Sequence, residues 1–282
     1  MYRFALLLVL LGSAAPSSTA QSDSIWTTEV QGSVSFTQVG FRRWHDGGVS
    51  SLALGTGIHA QATRISERAP QEHEVRLAFG IVKQNGIELR KSEDLIHVRS
   101  AVSFTGVPVF GRLSPAITFD FRSQFADGYQ YNETDSAAEA LRISGFLSPA
   151  TFTQSVGLDY PVKTWLDLQL GIAAKETIIT IRSLRSRYKV SPDTPFRWQM
   201  GIAGLFIFDR TIFPNVDLKS TLTLFLAFNQ QSPDTIWETL LTMKVNSWLQ
   251  VNAEYTALFD RDLSPYIQRK QSLAAGISVK LL

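Results

Sequence analysis

The feature that most constrains this chain is an alternation of apolar and polar residues that recurs along most of its length. In the first such run Val30, Val34 and Phe36 alternate with polar residues, and residues 52–62 alternate in the same way. A strand points successive side chains to opposite faces, so this spacing predicts one apolar and one polar face per strand. Residues 40–48, rich in Gly, join the two runs and predict a β-hairpin.

The same period of two returns in ten further segments, so the predicted strands number 12. An even number of amphipathic strands is typical of a closed barrel in which each strand pairs with the next. We therefore predict an all-β fold, a single antiparallel up-and-down barrel of about 12 strands. The further segments are residues 74–81, 96–104, 117–125, 152–160, 166–175, 197–208, 217–228, 241–246, 249–257 and 272–281.

The N-terminus has the pattern of a secretory signal peptide. Arg3 supplies a positive charge, residues 4–11 are apolar, and Ser18-Thr19-Ala20 is a small-residue cleavage signal. The apolar run is shorter than the about 20 residues that a transmembrane helix needs, and no other segment approaches that length. We expect residues 1–20 to be a signal peptide and residues 21–282 to form one barrel domain without a transmembrane helix.

Composition narrows the classes of function. The chain has no cysteine, so it has no disulfide, no thiolate metal site and no cysteine nucleophile. Its 27 basic and 25 acidic residues give a formal net charge of +2. A nucleic-acid-binding protein usually has a dominant basic surface, so we expect no nucleic-acid partner.

Two further patterns favour a membrane barrel over the alternative, a secreted soluble β-sandwich or barrel with the same alternation. The tryptophans cluster near strand ends, as they do at membrane–water interfaces. With a periplasmic N-terminus every second connection should be short; residues 64–71 are an exception. The polar faces contain few lysines, and the strands often reach the length of an oblique bilayer crossing. We therefore predict the outer membrane of a Gram-negative bacterium as the location.

Several short motifs follow one another in a distinctive order. They are Thr37-Gln38 followed by Trp44 and Gly47-Gly48, then residues 91–94, Phe125 with Gly128-Tyr129, Ser148-Pro149-Ala150 and residues 157–160. In this order and spacing the chain resembles, between about residues 26 and 180, the domain of unknown function 3078 family of outer-membrane β-barrels in Bacteroidetes and relatives. The resemblance implies an outer-membrane barrel. The family has no assigned activity, so the resemblance implies no substrate.

The polar strand faces supply the residues expected to line the barrel interior. One interpretation is a pore or chamber that selects small polar solutes by charge, and the basic members predict a preference for anions. The other is a mutually neutralised ionic network that fills the barrel, because a charge buried without a partner is costly. The predicted lining residues are His59, Arg76, His97, Arg99, Asp120, Arg122, Asp167, Gln169, Lys175, Lys219 and Glu254.

An enzymatic function has weaker support. Four histidines and many serines leave open a Ser–His pair in the barrel wall, that is, a membrane-embedded hydrolase. The sequence has no Gly-x-Ser-x-Gly elbow, His-Glu-x-x-His helix or phosphate loop. His59 and His97 lie on predicted strands separated by a third, and a lone histidine is more often structural. We predict no enzyme activity, metal or cofactor.

The first loop is a candidate external contact site for a ligand or partner. Trp44 is followed by Gly47 and Gly48, which permit close backbone approach or a positive φ. The alternative is a tight hairpin end anchored by the tryptophan. Our primary hypothesis is a barrel that contacts outer-membrane lipid and passes or binds a small polar solute. A non-conducting structural or partner-docking barrel is the alternative, and the sequence predicts no particular protein partner.

Overall fold

All twelve predicted barrel strands are present in the computed structural model, which describes residues 25–39, 50–84, 86–107, 109, 111–131 and 140–281. A short additional hairpin lies between the fifth and sixth barrel strands. The strands are β1 (Ile25–Val39), β2 (Ser51–Ile65), β3 (Gln71–Gln84), β4 (Arg90–Ser103), β5 (Ser114–Ser123), β6 (Gly128–Gln130), β7 (Leu141–Ser144), β8 (Ala150–Lys163), β9 (Leu166–Ile178), β10 (Phe196–Phe213), β11 (Val216–Ala227), β12 (Asp234–Lys244), β13 (Leu249–Phe259) and β14 (Gln268–Lys280).

The barrel is closed, and each of its strands pairs antiparallel with the next barrel strand along the chain. The β6–β7 hairpin stands outside this order, so β5 pairs with β8. The closing seam joins β1 to β14, from the Gln31–Lys280 pair to the Ser35–Gly276 pair. This topology confirms the predicted all-β, 12-stranded antiparallel barrel.

The two ends of the barrel differ in their connections. At the end where β1 begins and β14 finishes, here called the terminal end, the connections are residues 66–70, 104–113, 164–165, 214–215 and 245–248. At the opposite end, here called the loop end, they are residues 40–50, 85–89, 124–149, 179–195, 228–233 and 260–267. The two longest, residues 124–149 and 179–195, lie at the loop end. The connection predicted at residues 64–71 is shorter in the structure, because β2 and β3 extend beyond the residues that show apolar–polar alternation.

The 179–195 connection has a small core of its own. It contains two 3₁₀ turns, η1 (Arg182–Leu184) and η2 (Ser186–Tyr188), and it buries Ile179, Leu184 and Val190 together. The Tyr188 hydroxyl donates to the Ile143 carbonyl oxygen at 2.8 Å, which ties this connection to the end of β7. Burial raises the pKa of that hydroxyl. The connection is therefore an ordered part of the loop end.

A single ion pair identifies the inner face of the wall. Lys219 on β11 lies 3.2 Å from Glu74 on β3, and these strands are not neighbours, so both side chains cross the interior. Alternation then points His73 and Val75 outward. The same reasoning, carried through the registers of all strand pairs, places an apolar face on the outside of the barrel. Within the described ranges no helix is long and apolar enough to cross a membrane.

Candidate functional site

The strand registers place every predicted lining residue on the inner face. His59, Arg76, His97 and Arg122 form one row of cross-strand pairs over β2 to β5. The carboxylates that neutralise the basic members are mostly not those expected. Two of them, Glu74 and Glu238, were absent from the predicted lining set.

The first bridge across the lumen centres on Glu74, which is buried. Its carboxylate accepts hydrogen bonds from Lys219 Nζ at 3.2 Å and from His59 Nε2 at 2.9 Å. Lys219 reaches it from the opposite side of the barrel, because β11 and β3 lie far apart in the closed strand order. The pair therefore restrains two opposite walls.

The second bridge centres on Glu238 of β12. It accepts a hydrogen bond from Arg122 of β5, and Arg76 of β3 lies 3.9 Å away. The predicted strand began at residue 241, so it excluded Glu238. Inward Ile236 and outward Trp237 interrupt the alternation there, because β12 carries large apolar residues on both faces. Glu74, in contrast, lay on the polar face of a predicted strand. Its position on that face was the sequence signal that could have assigned it to the lumen.

One half of the lumen, along β4, β5 and β8 to β10, is closely packed. His97 lies 2.7 Å from Asp120, and Lys175 lies 2.7 Å from Asp234. Arg99 is buried opposite Asp120 in register but forms no ion pair within 4 Å among the described residues. A space of about 80 Å³ remains on this side. Gln169 donates a hydrogen bond to Asp167 at 3.2 Å.

The histidines do not converge on a metal site. His59 bonds to Glu74 and His97 bonds to Asp120, so the two rings address different carboxylates. In the part of the chain that the structure describes, no group of three or more metal-ligating side chains is arranged around a common point. These contacts instead belong to the ionic network of the wall.

The other half of the lumen contains a cavity of about 460 Å³. Its neutral lining consists mainly of serine, threonine, glycine and amide residues of β1, β2 and β11 to β14. The carboxylates that line it are Glu29, Glu74, Glu93, Asp209, Asp217, Glu238 and Glu254, and the basic residues are His59, Arg76, Lys219 and Lys244.

The cavity is acidic, which differs from the positive field expected from sequence. Lys244 lies 2.8 Å from Asp217, and Lys270 lies 2.8 Å from Glu93. Within the described residues, the remaining carboxylates of Glu29, Asp209 and Glu254 form no ion pair within 4 Å. The expectation of anion preference assumed few carboxylates opposite the arginines. In the structure Glu238 pairs with Arg122 and Arg76, Glu74 pairs with Lys219 and His59, and carboxylates are left in excess in the cavity.

The loop end is held together by shared acceptors. Asp262 in the 260–267 connection accepts hydrogen bonds from Arg197 at 2.8 Å, Lys189 at 2.9 Å and Gln230 at 2.9 Å. Burial alone would raise the pKa of Asp262, but the hydrogen bonds from Lys189 and Arg197 hold it below its usual value. Three connections are thus joined at one carboxylate. The predicted external contact residues Trp44, Gly47 and Gly48, like the predicted signal peptide, lie outside the described residues.

Part of this chain matches a known protein family. Residues 36–129 match the model of the family described as Protein of unknown function (DUF3078). This match confirms, over that stretch, the resemblance carried by the sequence motifs; it runs from the end of β1 to the start of the β6–β7 hairpin. Among curated proteins no sequence matched.

Two solved structures are similar to this chain at low sequence identity. The translocator domain of autotransporter NalP from Neisseria meningitidis is 8% identical, with a TM-score of 0.36; the alignment covers 90% of this chain and 87% of that one. The TodX monoaromatic hydrocarbon channel deltaS2 mutant is 9% identical, with a TM-score of 0.28, over 89% of this chain and 79% of that one. The barrel assignment depends on the strand topology.

Proposed function

We propose that this chain is an outer-membrane β-barrel that binds or passes a small polar solute through its lumen cavity. One observation carries the proposal: the outer face of the wall is apolar, whereas the inner face is polar around a cavity of about 460 Å³. A soluble barrel would have the reverse arrangement, with apolar residues in its core and polar residues in water.

The apolar outer face extends around the whole barrel. Leu273 is 72% exposed and Ile172 is 61% exposed, and many other outward aliphatic and aromatic side chains are similarly uncovered. Soluble monomers rarely expose contiguous apolar patches of more than a few hundred Å². Lipid hydrocarbon would cover this surface, because the outward band of a membrane barrel is apolar in the same way.

Tryptophans mark both edges of the apolar surface. Trp26 and Trp248 lie at the terminal end, and Trp198 and Trp237 lie near the loop end; all four are about half exposed. Aromatic girdles of this kind occur where a membrane barrel meets the two interfaces, since the ring is partly apolar and partly hydrated. Their positions support an orientation with the terminal end in the periplasm and the longer connections outside.

The location predicts a clear fractionation result. Full-length protein should sediment with outer membranes and stay there after washing at high salt and at high pH, because a spanning barrel is held by its apolar surface rather than by charge. Immunoblotting of the fractions measures this. Recovery in the soluble periplasm or the medium would contradict the membrane proposal.

The charge of the cavity indicates the class of solute. Carboxylates in a low-dielectric wall attract cations and repel anions. The Glu29, Asp209 and Glu254 carboxylates face the cavity without an ion pair within 4 Å among the described residues. We therefore propose small cationic or neutral polar solutes.

The two cross-lumen bridges narrow the lumen, and they favour the second candidate function, a non-conducting structural barrel.

Planar-bilayer recording distinguishes the two functions. The purified barrel should produce single-channel steps with a preference for cations, and the Asp209→Asn/Glu254→Gln double variant should weaken that preference because it removes two unbridged lumen carboxylates. The reversal potential in a salt gradient measures it. Glu176→Gln is the control, since it removes a carboxylate from the outer face. Silence of the wild type would favour the structural barrel, and anion preference would contradict the proposed solute class.

A further inference from the structure

A polar patch on the outer face of the barrel has the arrangement of a nucleophile and its base. His73 of β3 and Ser100 of β4 lie directly opposite each other in register, and both point outward. His73 Nδ1 lies 2.8 Å from Ser100 Oγ, and His73 Nε2 lies 3.4 Å from Gln71 Oε1. A hydroxyl bonded to a histidine that is itself oriented by a third group is the signature of an activated serine.

The surroundings hold the imidazole in place. Trp26 stacks on the His73 ring, with the ring centroids 5.8 Å apart and the planes inclined at 21°. Both Ser100 and His73 are only partly buried, so a substrate can reach the hydroxyl from outside the barrel. When His73 Nε2–H donates to Gln71, Nδ1 is left as the acceptor for the Ser100 hydroxyl. This is the tautomer that general-base catalysis requires.

The patch also offers contacts suited to a lipid ester. Phe119 lies opposite Ser100 on β5 and stacks on Phe152, which provides an apolar surface for an acyl chain. Arg64 lies in register with Trp26 and Gln71, so its side chain leaves the strand on the same outward face. The Trp26 edge of the apolar face corresponds to the depth at which lipid head groups join their chains.

We propose that Ser100 and His73 form a hydrolytic site for acyl esters, with Gln71 as a positioning residue, and that its substrate is a glycerophospholipid. The lipid substrate rests on the proposed membrane location, whereas the chemistry does not. Arg64 suits the phosphate of such a lipid, and a guanidinium binds phosphate through paired hydrogen bonds.

The reaction needs only the ester and water. Ser100 Oγ attacks the ester carbonyl carbon while its proton passes to His73 Nδ1. The ester C–O bond then breaks, and the departing alcohol takes the proton from His73, which leaves an acyl group on Ser100. Water attacks this acyl carbon and gives a proton to His73; the acid departs and Ser100 recovers its proton.

The test uses the purified full-length chain in detergent micelles, with p-nitrophenyl octanoate as substrate and a fluorophosphonate as covalent probe. The probe should label Ser100, as located by peptide mass, and Ser100→Ala and His73→Gln should each lower the rate of hydrolysis by about 100-fold or more. Ser220→Ala is the matched control. Ser220 also faces outward, and its hydroxyl accepts a hydrogen bond from Trp237 at 2.9 Å and bonds to Thr239. Among the described residues, Ser220 has no histidine as a hydrogen-bond partner. This variant should retain wild-type activity.

Further readouts separate a catalytic from a structural role. Each variant is checked for the heat-dependent gel shift of a folded barrel. Gln71→Ala should lower kcat with KM nearly unchanged, and Gln71→Glu, which keeps an acceptor oxygen, should restore kcat. A folded wild type that neither reacts with the probe at Ser100 nor exceeds Ser100→Ala in hydrolysis would overturn the proposal and leave a structural Ser–His hydrogen bond.

A separate experiment tests the lipid substrate. Barrel reconstituted in phosphatidylglycerol vesicles should release fatty acid, and Arg64→Gln should slow this release by a larger factor than it slows hydrolysis of p-nitrophenyl octanoate, which has no phosphate. Hydrolysis of the small ester without release of fatty acid would overturn the assigned substrate. Because the micellar assay needs no membrane location, its failure is distinguishable from a failure of the fractionation experiment.

Discussion

Replacing Ile172 by Arg is expected to lower the free energy of unfolding of the lipid-embedded barrel by about 2–4 kcal/mol, the cost of an arginine on the lipid face near mid-depth. Ile172 is the central residue of β9 and lies between outward-facing Val156 and Ile202. A guanidinium there would lose its hydration without gaining a counter-charge. Urea unfolding in lipid vesicles, followed by tryptophan fluorescence, measures the change.

Thr221→Arg is the matched control on the inner face. Thr221 lines the cavity and lies directly opposite Glu238, so the new charge would be hydrated and close to a carboxylate. Its effect on the free energy of unfolding should be much smaller. If Ile172→Arg changed stability by less than about 0.5 kcal/mol, as surface substitutions of soluble proteins usually do, the membrane proposal would be wrong.

Glu238→Gln is expected to lower the free energy of unfolding by about 3–5 kcal/mol, which is the usual cost of removing one partner of a buried ion pair. Only 18% of the Glu238 side chain is exposed, and its carboxylate neutralises Arg122 and Arg76 together. Without it, two guanidinium groups would face each other in the lumen. Water in the adjoining cavity screens part of this repulsion, so we expect a value near the lower limit. The same urea unfolding in vesicles measures it.

Glu254→Gln tests whether the effect comes from the bridge. Glu254 faces the same cavity but forms no ion pair within 4 Å among the described residues, so its neutralisation should change stability little. The Glu238→Gln/Arg122→Gln variant should recover part of the loss, because partners in one network are not additive. Equal effects of Glu238→Gln and Glu254→Gln would show that the bridge contributes nothing to stability.

The strands were predictable because their signal is local. The alternation of side chains between two faces is a property of each strand by itself, and one apolar face was present in every segment from β1 to β14 that belongs to the barrel. The strand ends were less predictable. At the β2–β3 connection, strand pairing continues through polar residues such as Arg64 and Gln71, which carry no apolar alternation.

The lining residues were predictable as a face but not as partners. Glu238 was not among the predicted lining residues, because inward Ile236 and Leu240 disrupt the alternation around it. Its partner Arg122 is more than one hundred positions away, so no local pattern could join them. The Ser100–His73 contact was equally hidden, since it depends on the register of β3 against β4 rather than on any spacing within one strand.

The sequence by itself determined the class of fold and the orientation of each strand face, because alternation and strand number are encoded residue by residue. It indicated part of the inward set of charges, without the carboxylates Glu74 and Glu238. Only the tertiary structure decided how those charges pair, since the closure of the barrel places β3 opposite β11 and β5 almost opposite β12, so that their side chains meet across the lumen. Pairing in turn decided the sign of the cavity: the bridges pair Arg76, Arg122 and Lys219 with Glu238 and Glu74 and leave Asp209 and Glu254 facing the cavity.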